Sequence, residues 1–148
     1  MIAESRIDRF HDALTKIEPN ILQTLTKIKQ MGIPMAIISN SDTIDVMYWK
    51  KSPLYSYFCE SVFSFQIGIM KPDPRIYTYL LSKLRIEPSL CLYVGDGGSD
   101  EIRTARYLGM KTVLVTHFNS LNANKKSDYK IDNFYELMDI VQKCFLNK

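Results

Sequence analysis

Three short stretches carry residue types that could do chemistry. Ser39-Asn40-Ser41 follow an apolar run and precede a polar segment. Hydroxyls and backbone N–H groups in that setting can hold a phosphate, helped by a helix N-terminus. The same residue types are ordinary helix caps, so these residues alone leave both readings open. Lys71 sits in Gly68-Ile69-Met70-Lys71-Pro72-Asp73-Pro74. A lysine stiffened by the following proline is a point charge that can neutralise a transferring phosphoryl group. Single lysines are also, most often, solvated surface residues. The third stretch is Gly95-Asp96-Gly97-Gly98-Ser99-Asp100-Glu101. The Asp96 carboxylate in a glycine-rich turn suits a hard cation such as Mg2+, and the glycines let the backbone approach a ligand closely. Plain turn chemistry accounts for it as well, with Ser99 as a cap and Asp100 and Glu101 complementing a helix dipole.

Other chemistries find no support. There is no GxGxxG after a strand, no GxxxxGK[ST], and nothing like GxSxG, HExxH or an EF-hand loop. His11 and His117 lie far apart with no partner suggested, and Cys59, Cys91 and Cys144 form no CxxC pair. The aromatics Tyr48, Trp49, Tyr55, Tyr57 and Phe58 read as cover for a sheet edge rather than as a base-stacking platform.

The elements that must position these residues alternate. Residues 4–17 read as a polar helix. Asn20 is expected to cap a second helix with Ile21, Leu22, Leu25, Ile28 and Met31 on one face, stopped by Gly32. Residues 35–39 form a continuous apolar run of the kind covered on both faces in a parallel sheet. A helix capped by Ser41 or Asp42 is expected to run through Trp49 and to break at Ser52-Pro53. A short strand at 61–65 follows, then a helix that starts at the Asp73-Pro74 cap. Strands at 90–94 and 112–115 flank a helix over Ile102, Ala105 and Leu108. Residues 116–130 read as a polar, lysine-bearing surface loop, with a last short strand at 129–131 and a closing helix from Phe134 to Phe145. This alternation predicts an α/β fold: a three-layer, Rossmann-like parallel sheet with helices on both faces. Ligands in such sheets bind at the carboxyl ends of the strands, where all three stretches fall.

Composition agrees with one folded domain of 148 residues, 46% hydrophobic and 24% charged. A net charge of +3 is too small to argue for nucleic acid or an anionic membrane. No apolar run reaches the roughly 18 residues that span a bilayer, and residues 1–16 lack a signal-peptide apolar region. The expected location is cytoplasmic, with reduced thiols.

Taken together and in order, the three stretches resemble the haloacid dehalogenase (HAD-like) superfamily of phosphatases and related hydrolases. The matching runs are 36–41, 69–77 and 93–101, supported by the helix before the first and by residues 105–113 after the third. The resemblance covers roughly residues 13–145. It implies that Ser39, with Asn40 beside it, hydrogen-bonds phosphoryl oxygens. Lys71 would balance the charge of nucleophile and phosphate, and Asp96 would hold Mg2+. A second, metal-associated or outer-shell acid follows four or five residues later, and Asp100 is favoured over Glu101 for it. The implied reaction is hydrolysis of a small phosphorylated metabolite through a phospho-aspartate.

The chain departs from the family where the nucleophile belongs. No apolar strand followed by Asp-x-Asp-x-Thr/Val occurs before residue 35, and Asp8 and Asp12 are spaced wrongly. The expectation is therefore an incomplete, N-terminally truncated core. Residues 1–19 would be the last helix of a cap, and 20–148 a HAD-like core lacking its first strand. Such a chain should be inactive, or serve as a non-catalytic phosphate- or protein-binding module. The strands at 35–39 and 90–94 would flank the missing one. They are expected to pair with each other directly or to recruit another chain, making a homo-oligomer through unpaired edges.

Overall fold

The computed structural model describes residues 2–147. The chain divides into two units, Met1–Gly68 and Ile69–Lys148.

The first unit contains α1 (Ile2–Thr15), α2 (Pro19–Gln30), β1 (Ala36–Ser39), β2 (Glu60–Phe63) and the single turn α3 (Ser64–Ile67). Asn20 is not the cap of α2. The helix begins one residue earlier, with Glu18 at the N-cap and Pro19 at the first position, where a fixed φ and a missing N–H cost nothing. β1 and β2 pair in parallel, Ala36 against Glu60 through Ser39 against Phe63. Leu25 and Ile28 of α2 are buried, as are Trp49, Val62 and Phe63. The Trp49 ring lies 5.8 Å from Tyr55, 5.8 Å from Phe58 and 6.1 Å from Phe63. Its indole N–H donates to Ser61 Oγ at 3.1 Å, which anchors the aromatic cluster to β2.

The expected helix from Ser41 to Trp49 does not form. Residues 43–48 make successive turns, and Trp49–Lys51 a single 3-10 turn. The Asp42 carboxylate collects the N–H groups of Ile44 at 2.9 Å and Asp45 at 3.2 Å. Asp45 in turn accepts the N–H of Asp42 at 3.0 Å. Such side-chain bonds offer the backbone an alternative to the helical ladder.

The second unit contains α4 (Pro74–Leu84), β3 (Leu92–Gly95), α5 (Glu101–Tyr107), β4 (Lys111–Val115), β5 (Tyr129–Ile131) and α6 (Leu137–Phe145). Its three strands are parallel in the order β3-β4-β5. Asp73 caps α4, accepting the N–H of Arg75 at 2.9 Å, with Pro74 at the first helical position. The strand expected from Leu90 starts at Leu92, because Pro88–Leu90 form a 3-10 turn. Ile76, Tyr77, Leu80, Ile102, Ala105, Val113 and Leu114 pack the core beside Ile131, Leu137, Ile140 and Val141. Buried Thr112 is satisfied by Asp128, which accepts both its N–H and its hydroxyl at 2.8 Å.

Coverage of the strands is uneven. Thr112 to Val115 of central β4 are buried, whereas every residue of β1 and of β3 is only half-buried. β1 belongs to the two-stranded sheet and β3 to the three-stranded one, each at its sheet's end, so of the two expected outcomes direct pairing does not occur.

Candidate functional site

Glu101 organises the carboxyl end of β3. Only 4% of this residue is exposed, and its carboxylate is bonded on both oxygens. Lys71 Nζ donates to Oε2 at 2.6 Å, and the Tyr93 hydroxyl donates to the same oxygen at 2.8 Å. The Gly97 N–H donates to Oε1 at 3.1 Å. The Tyr77 hydroxyl reaches the Glu101 carbonyl at 3.3 Å. A buried charge survives only with such pairing and hydrogen bonding. Burial, followed by the charge of Glu101, pushes the Tyr93 phenol well above its ordinary value. Burial is also the chief cause of the raised Tyr77 phenol. Both tyrosines therefore remain proton donors at neutral pH.

Local structure explains how these groups meet. The Lys71–Pro72 peptide is cis, and the Pro72 carbonyl accepts the Thr104 hydroxyl of α5 at 2.9 Å. The segment around Lys71 is thus tied to α5 on one side and runs into the capped start of α4 on the other. Gly95 is a glycine for a steric reason. A Cβ there would lie 2.1 Å from Glu101 Oε1, inside the space the carboxylate occupies.

Asp96 follows directly, half-buried, with Oδ1 accepting the N–H of Gly98 at 2.8 Å. Ser99 does not cap a helix. Ser99 and Asp100 both have φ of +51°, in the left-handed region, and α5 proper starts at Glu101. Two consecutive non-glycine residues there carry strain of the kind that concentrates at functional turns. Asp100 is turned toward solvent, 49% exposed and 3.7 Å from Arg103. The acid that engages Lys71 is Glu101. Tyr93 was not singled out in the sequence at all. Its signal was its place three residues before Asp96 in an otherwise aliphatic strand.

Ser39 and Asn40 lie in the first unit, at the carboxyl end of β1. The backbone just beyond them is held by Ser64, whose Oγ accepts the Ser41 N–H at 3.0 Å and donates to the Ser41 carbonyl at 3.1 Å. Arg6 of α1 bridges Asp42 and Asp45 at 2.7 Å each, and His11 meets Tyr48 edge-on at 4.6 Å. A shallow groove of about 370 Å3, lined in part by Lys29, Met35, Phe58 and Cys59, opens at the opposite, amino end of β1.

Among the described residues, no group of three His, Cys, Asp or Glu side chains stands close enough to enclose a metal ion. Mg2+ does not require such a cage. It commonly keeps several waters and takes one or two carboxylates together with substrate phosphate. A single half-buried Asp96 carboxylate, with one oxygen held by a backbone amide, fits that mode.

The family model for haloacid dehalogenase-like hydrolases matches residues 5–109. The chain belongs to the haloacid dehalogenase-like hydrolases. Its curated relatives include the glyceraldehyde 3-phosphate phosphatase of Methanopyrus kandleri, 30% identical over 90% of this chain and 61% of that protein. The phosphoglycolate phosphatase of Pasteurella multocida is 29% identical over 87% of this chain and 59% of that protein. Among solved structures, a HAD phosphatase from Thermococcus onnurineus superposes with a TM-score of 0.76 at 26% identity, covering 84% of this chain and 58% of the other. This HAD-like chain thus spans about three fifths of the length of the relatives it matches. The family's α/β architecture, with parallel strands and intervening helices, is the one observed.

Proposed function

We propose that this chain carries the phosphate- and Mg2+-handling part of a phosphatase acting on small phosphorylated metabolites. The observation that carries the reading is the Lys71–Glu101 pair at 2.6 Å, its carboxylate buried and built onto the same turn as Asp96. An ammonium held at a strand's carboxyl end, in a partly water-excluded site, is pre-oriented to compensate phosphoryl charge. Relatives named for glyceraldehyde 3-phosphate and phosphoglycolate support the substrate class.

In this reading Ser39 and Asn40 donate hydrogen bonds to phosphoryl oxygens. In the second unit, Lys71 is the cation offered to an anionic ligand, and Glu101 keeps Lys71 in place. Asp96 is the carboxylate that would hold Mg2+, with Asp100 as an outer acid. Bound Mg2+ would supply further neutralisation of the phosphoryl oxygens. Within residues 1–148 no Asp-x-Asp-x-Thr/Val follows an apolar strand, so these residues by themselves are expected to bind without turnover. That expectation favours a second reading, a non-catalytic phosphate- or protein-binding module built from the same residues. A cytoplasmic location with reduced thiols is consistent with the three free cysteines; among the described residues no helix is long and apolar enough to cross a membrane. Half-buried β1 and β3 at the ends of their sheets support self-association through strand edges. Neither nucleic acid nor membrane is expected as a partner.

Calorimetry with inorganic phosphate, with and without Mg2+, tests the binding claim. Heat that needs both, and that weakens in Lys71→Ala and Asp96→Ala, is expected. No heat under any condition would overturn it. A generic aryl phosphate separates the two readings. Mg2+-dependent hydrolysis abolished by Asp96→Ala would replace the binding module with an enzyme.

A further inference from the structure

The segment between β4 and β5, residues 116–128, reads in the sequence as an ordinary polar loop. In the structure it lies over the Asp96 turn and touches it twice. Asn122 Nδ2 donates to the Asp96 carbonyl at 3.2 Å, and Lys125 Nζ donates to the carbonyl of Gly97. The two surfaces are in close contact. At Gly97, φ is +84°, and a Cβ there would meet Asn122 Cβ at 3.0 Å and Lys125 Cδ at 3.2 Å.

We propose that Asn122 and Lys125 are positioning residues for Asp96, pinning two successive carbonyls so that its carboxylate keeps one direction. The proposal rests on the reading of Asp96 given above. The turn needs such a hold, because Gly97 and Gly98 leave its backbone cheap to move. The carboxylate is otherwise oriented by the Gly98 N–H at 2.8 Å. The loop is fit to provide it, because both of its ends are fixed. Asp128 is bound to Thr112 of β4 by bonds of 2.8 Å, and Thr116 Oγ1 donates to Asp132 at 2.9 Å. Between them, the Asn122 N–H donates to Asn119 at 3.2 Å and the Lys125 N–H to Asn122 at 2.9 Å. Lys125 is half-buried while its neighbour Lys126 is exposed. A bond from an ammonium is roughly twice as strong as a neutral one, which makes Lys125 the stronger of the two pins.

Amide hydrogen exchange on the full chain tests this directly, because the Gly98 N–H is bonded to the Asp96 carboxylate itself. In Lys125→Met, Gly98 is expected to exchange about three to ten times faster, and faster still when Asn122→Ala is added. Lys125→Arg should restore most of the protection, and Lys126→Met should change nothing. Val113 and Leu114 in β4 should be unaffected. Unchanged Gly98 exchange in the double variant overturns the proposal, and so does an acceleration shared equally by Val113 and Leu114. A Mg2+ titration followed by calorimetry is the second arm. Its apparent affinity should fall about three- to tenfold in Lys125→Met. An unchanged affinity also counts against the proposal. If the unaltered chain takes up no Mg2+, the metal reading of Asp96 fails, and the positioning claim is then decided by the exchange result alone.

Discussion

Two turns in this chain bring carboxylates to the carboxyl end of a parallel strand, and the two satisfy them differently. After β1, Asp42 and Asp45 are bonded by backbone amides and by Arg6, whose side chain is 37% exposed against 47% for Asp42. The Asp42 carboxyl is pushed up by desolvation, but the Asp45 N–H, Arg6 and the Ile44 N–H outweigh that and hold it below the usual range. After β3, Glu101 is nearly enclosed, and each of its oxygens has a defined partner. The first arrangement stabilises a turn cheaply in water. The second positions a cation, at the cost of placing a charge where losing any partner is expensive. The contrast teaches that a carboxylate's burial, more than its place after a strand, separates a turn-maker from a member of a site.

The largest expected effect tests that contrast at its centre. Glu101→Ala leaves Lys71 without its buried partner and should destabilise the second unit by about 3–5 kcal/mol in urea unfolding. A loss under about 1 kcal/mol would place Glu101 with the exposed acids. Next, Gly95→Ala should cost about 1–3 kcal/mol, because its Cβ competes with Glu101 Oε1. In a Glu101→Ala background that cost should largely vanish, and simple additivity in a double-mutant cycle would refute the steric account. Tyr93→Phe keeps the ring and removes one donor to Glu101, for an expected loss of about 1 kcal/mol in thermal unfolding.

Asp128 is an intermediate case, bound by a hydroxyl and an amide of Thr112. Burial acts to raise its carboxyl, yet the Thr112 bonds, with Arg106 and Lys111, hold it below the usual range. A carboxyl lower in the folded than in the unfolded chain stabilises above its unfolded pKa. That contribution is lost as pH falls through the folded value. Melting temperature should therefore drop on acidification below about pH 4, and more shallowly in Asp128→Asn. The smallest effect belongs to the first turn. Arg6→Ala should shift the melting temperature slightly, and the shift should shrink as salt is raised. A large, salt-insensitive loss would erase the distinction between the two turns.

The α/β alternation, the Asp73-Pro74 start of α4, the position of β4 and the placement of the first and third stretches after β1 and β3 are legible in the residues alone, whereas the Lys71 stretch follows the helical turn α3 rather than a strand. Those features rest on local physics: apolar runs, a proline at a first helical position, and glycines where the chain turns. Tertiary structure decided the rest. The segment after Ser41 contains no helix breaker before Ser52-Pro53, yet it folds as turns around Asp42, Asp45 and the distant Arg6. Asp100 and Glu101 are adjacent acids that composition cannot rank. Two left-handed residues at 99 and 100 rotate the start of α5, so that Glu101 faces Lys71 and Tyr93 while Asp100 faces water. A partner 30 residues away selects between them, and such a choice leaves no local trace because it is made by burial and direction rather than by residue type.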